Sequence, residues 1–416
     1  MKKNIWLFGL VLTLVLVVTT TSSAWWIFGN DQKSNGKITL EFFQNKQEAV
    51  DTYNQLIKKF EKSHPKIDIK QNNVPSAETV LKTRLAKNDI PAIMGLGANF
   101  TYGQIAEAGI LANFSDDPQL KNIQPAYLEM TKNLHEGNKN YGIPYSANAN
   151  TILYNKTKFK KLGLEIPKTW NELIATAKKI EQAGEIPFYL TFKDAWTAMI
   201  PWNSLAANLQ GENFIDQRKA GETTFQARYQ KVAKRIYSLL DYGQQDIFGK
   251  GYNAGNKAFA KGKSVMYLQG IWAISSIKKA NPNIKIGAFA LPAVNDASKN
   301  KLVSGVDTVL TMSSQLSDRR AKAAKEFIHF LIKQENTQYY INQEKLFSAV
   351  KGVYQKDPQL VDLKEYFETG QLAPFPDHYY PAGMQVPRLI QKFLLNGNID
   401  SFLERLDKAW NRVQAR

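Results

Sequence analysis

Ile38-Thr-Leu-Glu-Phe-Phe43, followed by the apolar positions Val50, Tyr53, Leu56, Ile57 and Phe60 and then by Ile67-Asp-Ile69, is the stretch on which the fold turns. The first six residues are rich in β-formers, which predicts a strand. The next five positions recur at the 3–4 residue spacing of a helix face, and Pro65 ends the run. Ile67-Asp-Ile69 alternates again, as a strand does. A second helix is expected over 79–87, a buried strand over Ala92-Ile-Met-Gly-Leu96, and a short helix over 104–111. Strand and helix taking turns three times imply a parallel sheet with crossover helices, so the fold class is α/β.

The pattern continues outward. Thr151-Ile-Leu-Tyr154, after Pro144, reads as another strand. A helix over 170–183 has Thr169 as its N-cap candidate and Gly184 as its stop. Helices are expected over 231–240 and 254–260, strands at Val265-Met-Tyr-Leu268 and over 284–289, and a long helix over 319–332 with Phe327, Phe330 and Leu331 on one stripe. Helices over 389–395 and 399–410 close the chain. No internal repeat is present.

At the other end, Lys2 and Lys3 precede an apolar run from Ile5 to Val18, then small residues up to Ala24. These are the parts of an export signal. The same segment is uncharged from Ile5 to Phe28, and as a helix it would span about 36 Å at ~1.5 Å per residue. Residues 1–30 therefore read as a cleaved signal or as a retained anchor, with Trp25–Trp26 at the outer interface, and 31–36 as a polar linker. A lipid-modified Cys cannot supply retention, because the chain has no Cys, and this favours the anchor.

Composition removes several kinds of function. Zero Cys among 416 residues excludes a disulfide scaffold, a Cys-ligated metal and a thiol nucleophile. Four scattered His (His64, His135, His329, His378) leave little for a metal site, and no cofactor is expected. The 54 Lys+Arg against 37 Asp+Glu give +17, which favours anionic surfaces. Export makes nucleic acid an unsuitable partner, and points to lipid headgroups or wall polymer instead. No nucleophile elbow, P-loop or zincin motif occurs, and Gly95-Leu-Gly97 lacks the third glycine of a dinucleotide loop.

The chain does carry polar–aromatic clusters beside strand ends, where open α/β sheets place ligands. They are Phe42-Phe-Gln-Asn45-Lys46, Gly97-Ala-Asn99-Phe-Thr-Tyr102, Tyr145-Ser-Ala-Asn148, Lys193-Asp194-Ala-Trp196, Gly270-Ile-Trp272, Gly305-Val-Asp307 and His378-Tyr379-Tyr380. Sugars need this mixture: C–H faces pack on aromatic rings, while hydroxyls need groups that donate and accept. At roughly 0.5–1.5 kcal/mol per hydrogen bond, a handful plus one or two stacked rings reaches micromolar affinity, about −8 kcal/mol. For any single cluster, ordinary loop packing is an equal reading.

The order of motifs over 37–416 resembles the extracellular sugar-binding proteins of ABC importers, the family that includes the maltose and multiple-sugar binders. Three segments carry the likeness: Tyr141-Gly-Ile-Pro144 leading into Ile152-Leu-Tyr-Asn-Lys156, Pro167-Lys-Thr-Trp170-Asn-Glu-Leu173, and Phe259-Ala-Lys-Gly262 through Met266 to Gly270-Ile-Trp272. The resemblance implies a two-lobe periplasmic-binding-protein-like fold with the ligand in the interdomain cleft. It places lobe 1 at 37–146 and 306–354 and lobe 2 at 147–305 and 355–416, with crossings near 144–148, 304–308 and 352–354. It assigns ligand contacts to Asn45, Asn99, Asn148, Asp194, Trp196, Trp272, Asp307 and Tyr379. Three acids of maltose binders are Asn here (Asn45, Asn99, Asn148), which argues against maltose and leaves hydroxyl recognition intact. The implied protein is a monomeric, non-enzymatic receptor that captures an oligosaccharide and delivers it to permease subunits from the outer face of the membrane. The alternative is a secreted glycoside-active enzyme using Asp194 and Asp307 as a carboxylate pair.

Overall fold

Strand β1 (Ile38–Gln44) lies between two parallel neighbours, β2 (Ile67–Asn72) and β3 (Ile93–Leu96), with Ile38 opposite Ile67 and Phe42 opposite Ile93. Helix α1 (Val50–Ser63) makes the first crossover and buries Tyr53, Leu56, Ile57 and Phe60, the stripe that the spacing predicts. Helix α2 (Ala77–Ala86) makes the second. Helix α3 (Phe100–Glu107) starts before the expected 104, because the Asn99 side chain accepts a hydrogen bond from the Tyr102 N–H and caps it. The computed structural model describes residues 36–414 apart from 75, 76 and 382. The leader expected over 1–30, and the linker up to 35, lie outside the described residues. Among those described, no helix is long and apolar enough to cross a membrane.

After α4 (Pro125–Lys132) comes β4 (Ile143–Asn155), thirteen residues long where the sequence predicts only 151–154. Ser146, Asn148 and Asn150 alternate with Tyr145, Ala147 and Ala149, but Asn and Ala are poor strand formers, so the first half carries only a weak strand signal. Neighbours decide it instead. The first half pairs with β8 (Leu302–Met312) and the second with β6 (Met266–Gly270) and β7 (Ile286–Phe289), all antiparallel. Strand β8 is buried at every residue and so shows no alternation either. Between β4 and β6 the chain forms α5 (Lys156–Lys161), α6 (Trp170–Gln182), the short β5 (Phe188–Tyr189), α7 (Met199–Leu209), α8 (Phe214–Lys219), α9 (Phe225–Arg228), α10 (Gln230–Ser238) and α11 (Tyr252–Ala260). The expected cap of α6 is present: the Thr169 hydroxyl accepts from the Glu172 N–H at 3.2 Å, and Gly184 follows at φ +73°.

Helix α12 (Ala273–Ala280) precedes β7. Beyond β8 lie α13 (Asp318–Leu331), α14 (Gln334–Glu344), β9 (Phe347–Ser348), α15 (Lys364–Thr369), β10 (Leu372–Ala373), α16 (Val386–Asn396) and α17 (Ile399–Gln414). The strands join in the order β2-β1-β3-β8-β4-β6-β5, with β10 on β8 and β7 and β9 on β4. The expectation of a parallel sheet therefore holds for β1–β3 and for β5 beside β6. The middle of the sheet is antiparallel, because β8 returns from far along the chain and runs against both β3 and β4.

Two hydrophobic cores flank this middle. One is built around Phe42, Tyr53, Phe60, Ile93, Phe327 and Tyr340, with edge-to-face contacts such as Phe42 on Tyr53 at 5.0 Å. The other is built around Trp170, Leu173, Trp202, Tyr229, Phe393 and Trp410. The first core also takes in Phe259, Tyr267, Ile274 and Ile277 from α11, β6 and α12.

Candidate functional site

Where β4 and β8 run side by side, Asp307 becomes the centre of a polar group. Its residue is 6% exposed, yet its carboxylate has four donors within reach. Lys46 Nζ donates to Oδ1 at 2.5 Å, and Asn148 Nδ2 donates to the same oxygen at 2.5 Å. The Thr308 and Ser146 hydroxyls approach Oδ2 at 3.3 and 3.5 Å. Burial pulls the Lys46 ammonium down, but the Asp307 carboxylate outweighs it, so Lys46 stays above its ordinary value and charged. A buried ion pair of this kind survives only with such extra hydrogen bonds.

Asn45 and Asn99 arrive at the same place from two other strand ends. A methyl group on Gly97 would stand 3.7 Å from the Asn99 amide nitrogen and 4.0 Å from both the Asn45 amide nitrogen and the Asp307 carbonyl oxygen. Asn45 is exposed and Asn99 half-buried, with its Oδ1 spent on the α3 cap. Its Nδ2 is the atom that faces the group. Four of the sequence-predicted residues, Asn45, Asn99, Asn148 and Asp307, are thus together.

Asp194 and Trp196 form their own shelf with Tyr252. Asp194 Oδ2 accepts from the Tyr252 N–H at 2.7 Å and holds the start of α11. The approach needs Gly251, since a Cβ there would sit 2.6 Å from that oxygen. Trp196 packs on Tyr252 with ring centroids 5.1 Å apart and keeps 43% exposure, which is unusual for so large an apolar ring. Tyr252 connects the shelf to the Asp307 group. Burial raises its phenol, the Asn256 side chain opposes this, and the charges of Glu48 and Lys46 both reach it from the other side. Trp272 is half-buried at the end of β6, its ring laid against Gly270, where a Cβ would lie 1.9 Å from Cζ3.

Tyr379 lies on the loop after β10. It lines a cavity of about 640 Å³ between α4 and α8, with Glu129, Lys132, Gln210, Asp216 and Pro374 on the other walls. That cavity does not contain the Asp307 group. Tyr379 and the neighbouring His378 also line a second, small pocket with Ala98, Gly305 and Val306. Burial lowers the His378 imidazole, and both Asp307 and Lys46 act on it; its ring stacks on Phe375 at 4.9 Å.

Lys46 stands inside a quoted cluster, yet nothing in its local sequence marks it as the partner of Asp307, a contact across 261 positions. Tyr252 and His378 were equally silent. Tyr252 follows a glycine-rich turn, and His378 differs from its neighbours only by which way the 3₁₀ turn Pro376–Tyr379 rotates it. Among the described residues, no group of three or more acids or histidines could hold a metal ion.

A mixed α/β sheet with a polar group where β4 and β8 pair, and aromatic rings beside other strand ends, is the kind of frame on which solute receptors are built. The chain belongs to the bacterial extracellular solute-binding protein family, whose sequence profile matches residues 55–369. It is 30% identical over 432 aligned residues to the multiple sugar-binding protein of Streptococcus mutans, covering 99% of this chain and 98% of that protein. It is 21% identical to the melibiose/raffinose/stachyose-binding protein MelE of Bacillus subtilis, covering 91% and 88%. In structure it is similar to RafE in complex with raffinose, with a TM-score of 0.81 and 28% identity over 91% of this chain and all of that one (100%).

Proposed function

We propose that this protein is the substrate-binding receptor of a carbohydrate ABC importer, and that its ligand is an uncharged oligosaccharide of the raffinose type. The observation that carries the reading is the pairing of Lys46 and Asn148 with the Asp307 carboxylate, beside which the Asn45 and Asn99 amides approach the Asp307 backbone. Such a group offers amide donors and acceptors to hydroxyls without a net charge that would select an ion. Trp196 supplies an exposed ring for a pyranose face, and Trp272 a second, half-buried one. The names of the sugar-binding relatives point to the same ligand class.

On this reading lobe 1 comprises 37–146 and 306–354, and lobe 2 comprises 147–305 and 355–416. Sugar that touches both favours the closed arrangement, since a ligand indifferent to the two states would shift nothing. The closed monomer then docks on the permease from the outer face of the membrane, where the N-terminal segment retains it. Tyr379 supplies a further aromatic contact to the sugar.

The glycoside-active alternative is disfavoured by the same contacts. Asp194 is occupied with capping α11, and Asp307 is held by Lys46 and Asn148, so neither carboxyl stands free as an acid or nucleophile. Calorimetry against raffinose, stachyose, melibiose and maltose tests the proposal. Micromolar binding of a raffinose-type sugar, without release of monosaccharide, is expected. Absence of binding by any sugar below millimolar concentration would sink it.

A further inference from the structure

We propose that a lysine-rich face built by α5, the last turns of α11 and α12, and the entry to β7 docks on the anionic phospholipid headgroups of the membrane surface. It rests on the exported location in the reading above, and not on the identity of the sugar.

The face starts from a gap in the sequence. Between Asp246 and Asp296 there is no Asp or Glu, while Lys250, Lys257, Lys261, Lys263, Lys278, Lys279 and Lys285 fall in that interval. At the chain average of 37 acids in 416 residues, about four would be expected there. A second acid-free interval, between Glu136 and Glu165, carries Lys156, Lys158, Lys160 and Lys161.

The fold then puts the two intervals side by side. The Lys156 N–H donates to the Lys285 carbonyl at 2.8 Å. A Cβ on Gly262 would meet Lys158 Cε at 3.4 Å, which sets α5 against the turn that ends α11. Asn281 Nδ2 donates to the Ala260 carbonyl at 2.8 Å and ties the end of α12 to the same turn. Lys160, Lys161, Lys257, Lys261, Lys263, Lys279 and Lys285 are all exposed.

Part of this face has an internal explanation. Lysines in the last turn of a helix offset its dipole, and Lys278 bonds the Pro282 and Ile284 carbonyls at 3.0 and 2.7 Å. Lys158 pairs with Glu185, and Lys156 lies 3.7 Å from Asp362. Among the described residues, however, no ion pair involves Lys160, Lys161, Lys257, Lys261, Lys263 or Lys285. On α1 and α2, by comparison, Lys59, Lys82 and Arg84 are matched to acids, while Lys58 and Lys62 of α1 are exposed. Several unmatched ammonium groups within a Debye length, about 10 Å at 0.1 M salt, attract a surface of like-spaced phosphates.

The absence of Cys makes a site-specific test simple. Asn283→Cys, exposed between α12 and β7, and Thr79→Cys, exposed on α2, each give one labelling position in the full chain. Each labelled protein is mixed with phosphatidylcholine vesicles, with and without phosphatidylglycerol, that carry a headgroup quencher. The expected result is phosphatidylglycerol-dependent quenching at position 283, several-fold above that at 79, and reversed by added salt. The leader alone would quench both positions equally. With each lysine near the surface worth about a fivefold change in partitioning, Lys160→Glu, Lys161→Glu, Lys263→Glu and Lys285→Glu together should lower the 283-specific binding by at least a hundredfold. Unchanged thermal unfolding and raffinose calorimetry of that variant show that it is folded. Equal quenching at both positions, or no dependence on phosphatidylglycerol, overturns the proposal. So does protection of position 283 by soluble polyglycerol phosphate but not by vesicles, which would assign the face to wall polymer. If raffinose fails to bind even the unaltered chain while the vesicle result stands, the sugar reading fails and this one does not.

Discussion

Trp196 and Trp202 lie in the same short segment, yet the protein treats them as opposites. Trp202 is fully buried, stacks on Tyr229 at 5.3 Å, and donates from its indole N–H toward Tyr380 at 3.4 Å. Trp196 has one ring neighbour, Tyr252, and is 43% exposed. The same side chain is core in one place and contact surface in the other. The difference is made by α7, which turns Trp202 inward among Phe402 and Tyr229, while Trp196 sits before it in a 3₁₀ turn, Ala195–Ala198, beside the Asp194 cap.

A second contrast concerns acids. Asp307 and Glu344 are both buried, at 6% and 5% exposure. Asp307 has a lysine and an amide at bonding distance, whereas Glu344 has the Thr52 hydroxyl. Tyr53, Tyr145 and Tyr340 are buried close by, and the Tyr53 and Tyr340 hydroxyls act on each other. Burial raises the Glu344 carboxyl to about 7, with Thr52 opposing and Glu48 adding to the rise. Asp307 is thus matched by a cation, whereas Glu344 is poised between neutral and charged.

The largest expected effect breaks the first contrast. Trp202→Ala should destabilise the protein by about 3–5 kcal/mol in urea unfolding, because it empties the centre of the second core. A loss under about 1 kcal/mol would mean that the ring is not packed as described. Next, Asp307→Asn leaves Lys46 without its anion and should cost about 3 kcal/mol, together with at least a hundredfold weaker raffinose binding. Adding Lys46→Met should restore most of the stability and none of the binding; recovery of both would remove the pair from the site.

Glu344 gives an effect of similar or smaller size that depends on pH. Its folded form holds the proton more tightly than the unfolded chain, which releases it near the ordinary value of 4.5. Stability from this group is therefore full below that value and is lost as pH rises toward 7, by up to about 3 kcal/mol. Unfolding measured from about pH 5 to pH 8 should show this slope in the native chain and a flatter one in Glu344→Gln. Parallel curves would place Glu344 in a wetter setting. The smallest effect sharpens the first contrast. Trp196→Ala should weaken raffinose binding about tenfold, or roughly 1.4 kcal/mol, and change stability by less than about 0.5 kcal/mol.

Local chemistry explains which parts of the fold could be read in advance. Tyr53, Leu56, Ile57 and Phe60 share one face of α1, so their spacing announced both the helix and its buried side. Thr169 and Gly184 marked the ends of α6 by capping and by positive φ, which are properties of a few adjacent residues. Strands β4 and β8 carried no such mark. Both of their faces are covered, and Ser146, Asn148 and Asp307 sit where an apolar side chain would normally complete a pattern. The candidate site was legible in the same partial way. Asn45, Asn99 and Asn148 could be picked out beside strand ends, but Tyr379 and His378 could not be told apart, because adjacent residues on a turn differ by a rotation that only packing sets.

Length, periodicity, caps and the absence of Cys were enough to establish an α/β chain with a charged surface and no thiol chemistry. These are sums over residues or relations between near neighbours. The pairing of Lys46 with Asp307, the shelf of Trp196 on Tyr252, the joining of two acid-free segments into one basic face, and the antiparallel middle of the sheet were decided by tertiary structure. Each depends on contacts between residues far apart in the chain, and such contacts form only after the loop between them has closed around a packed core.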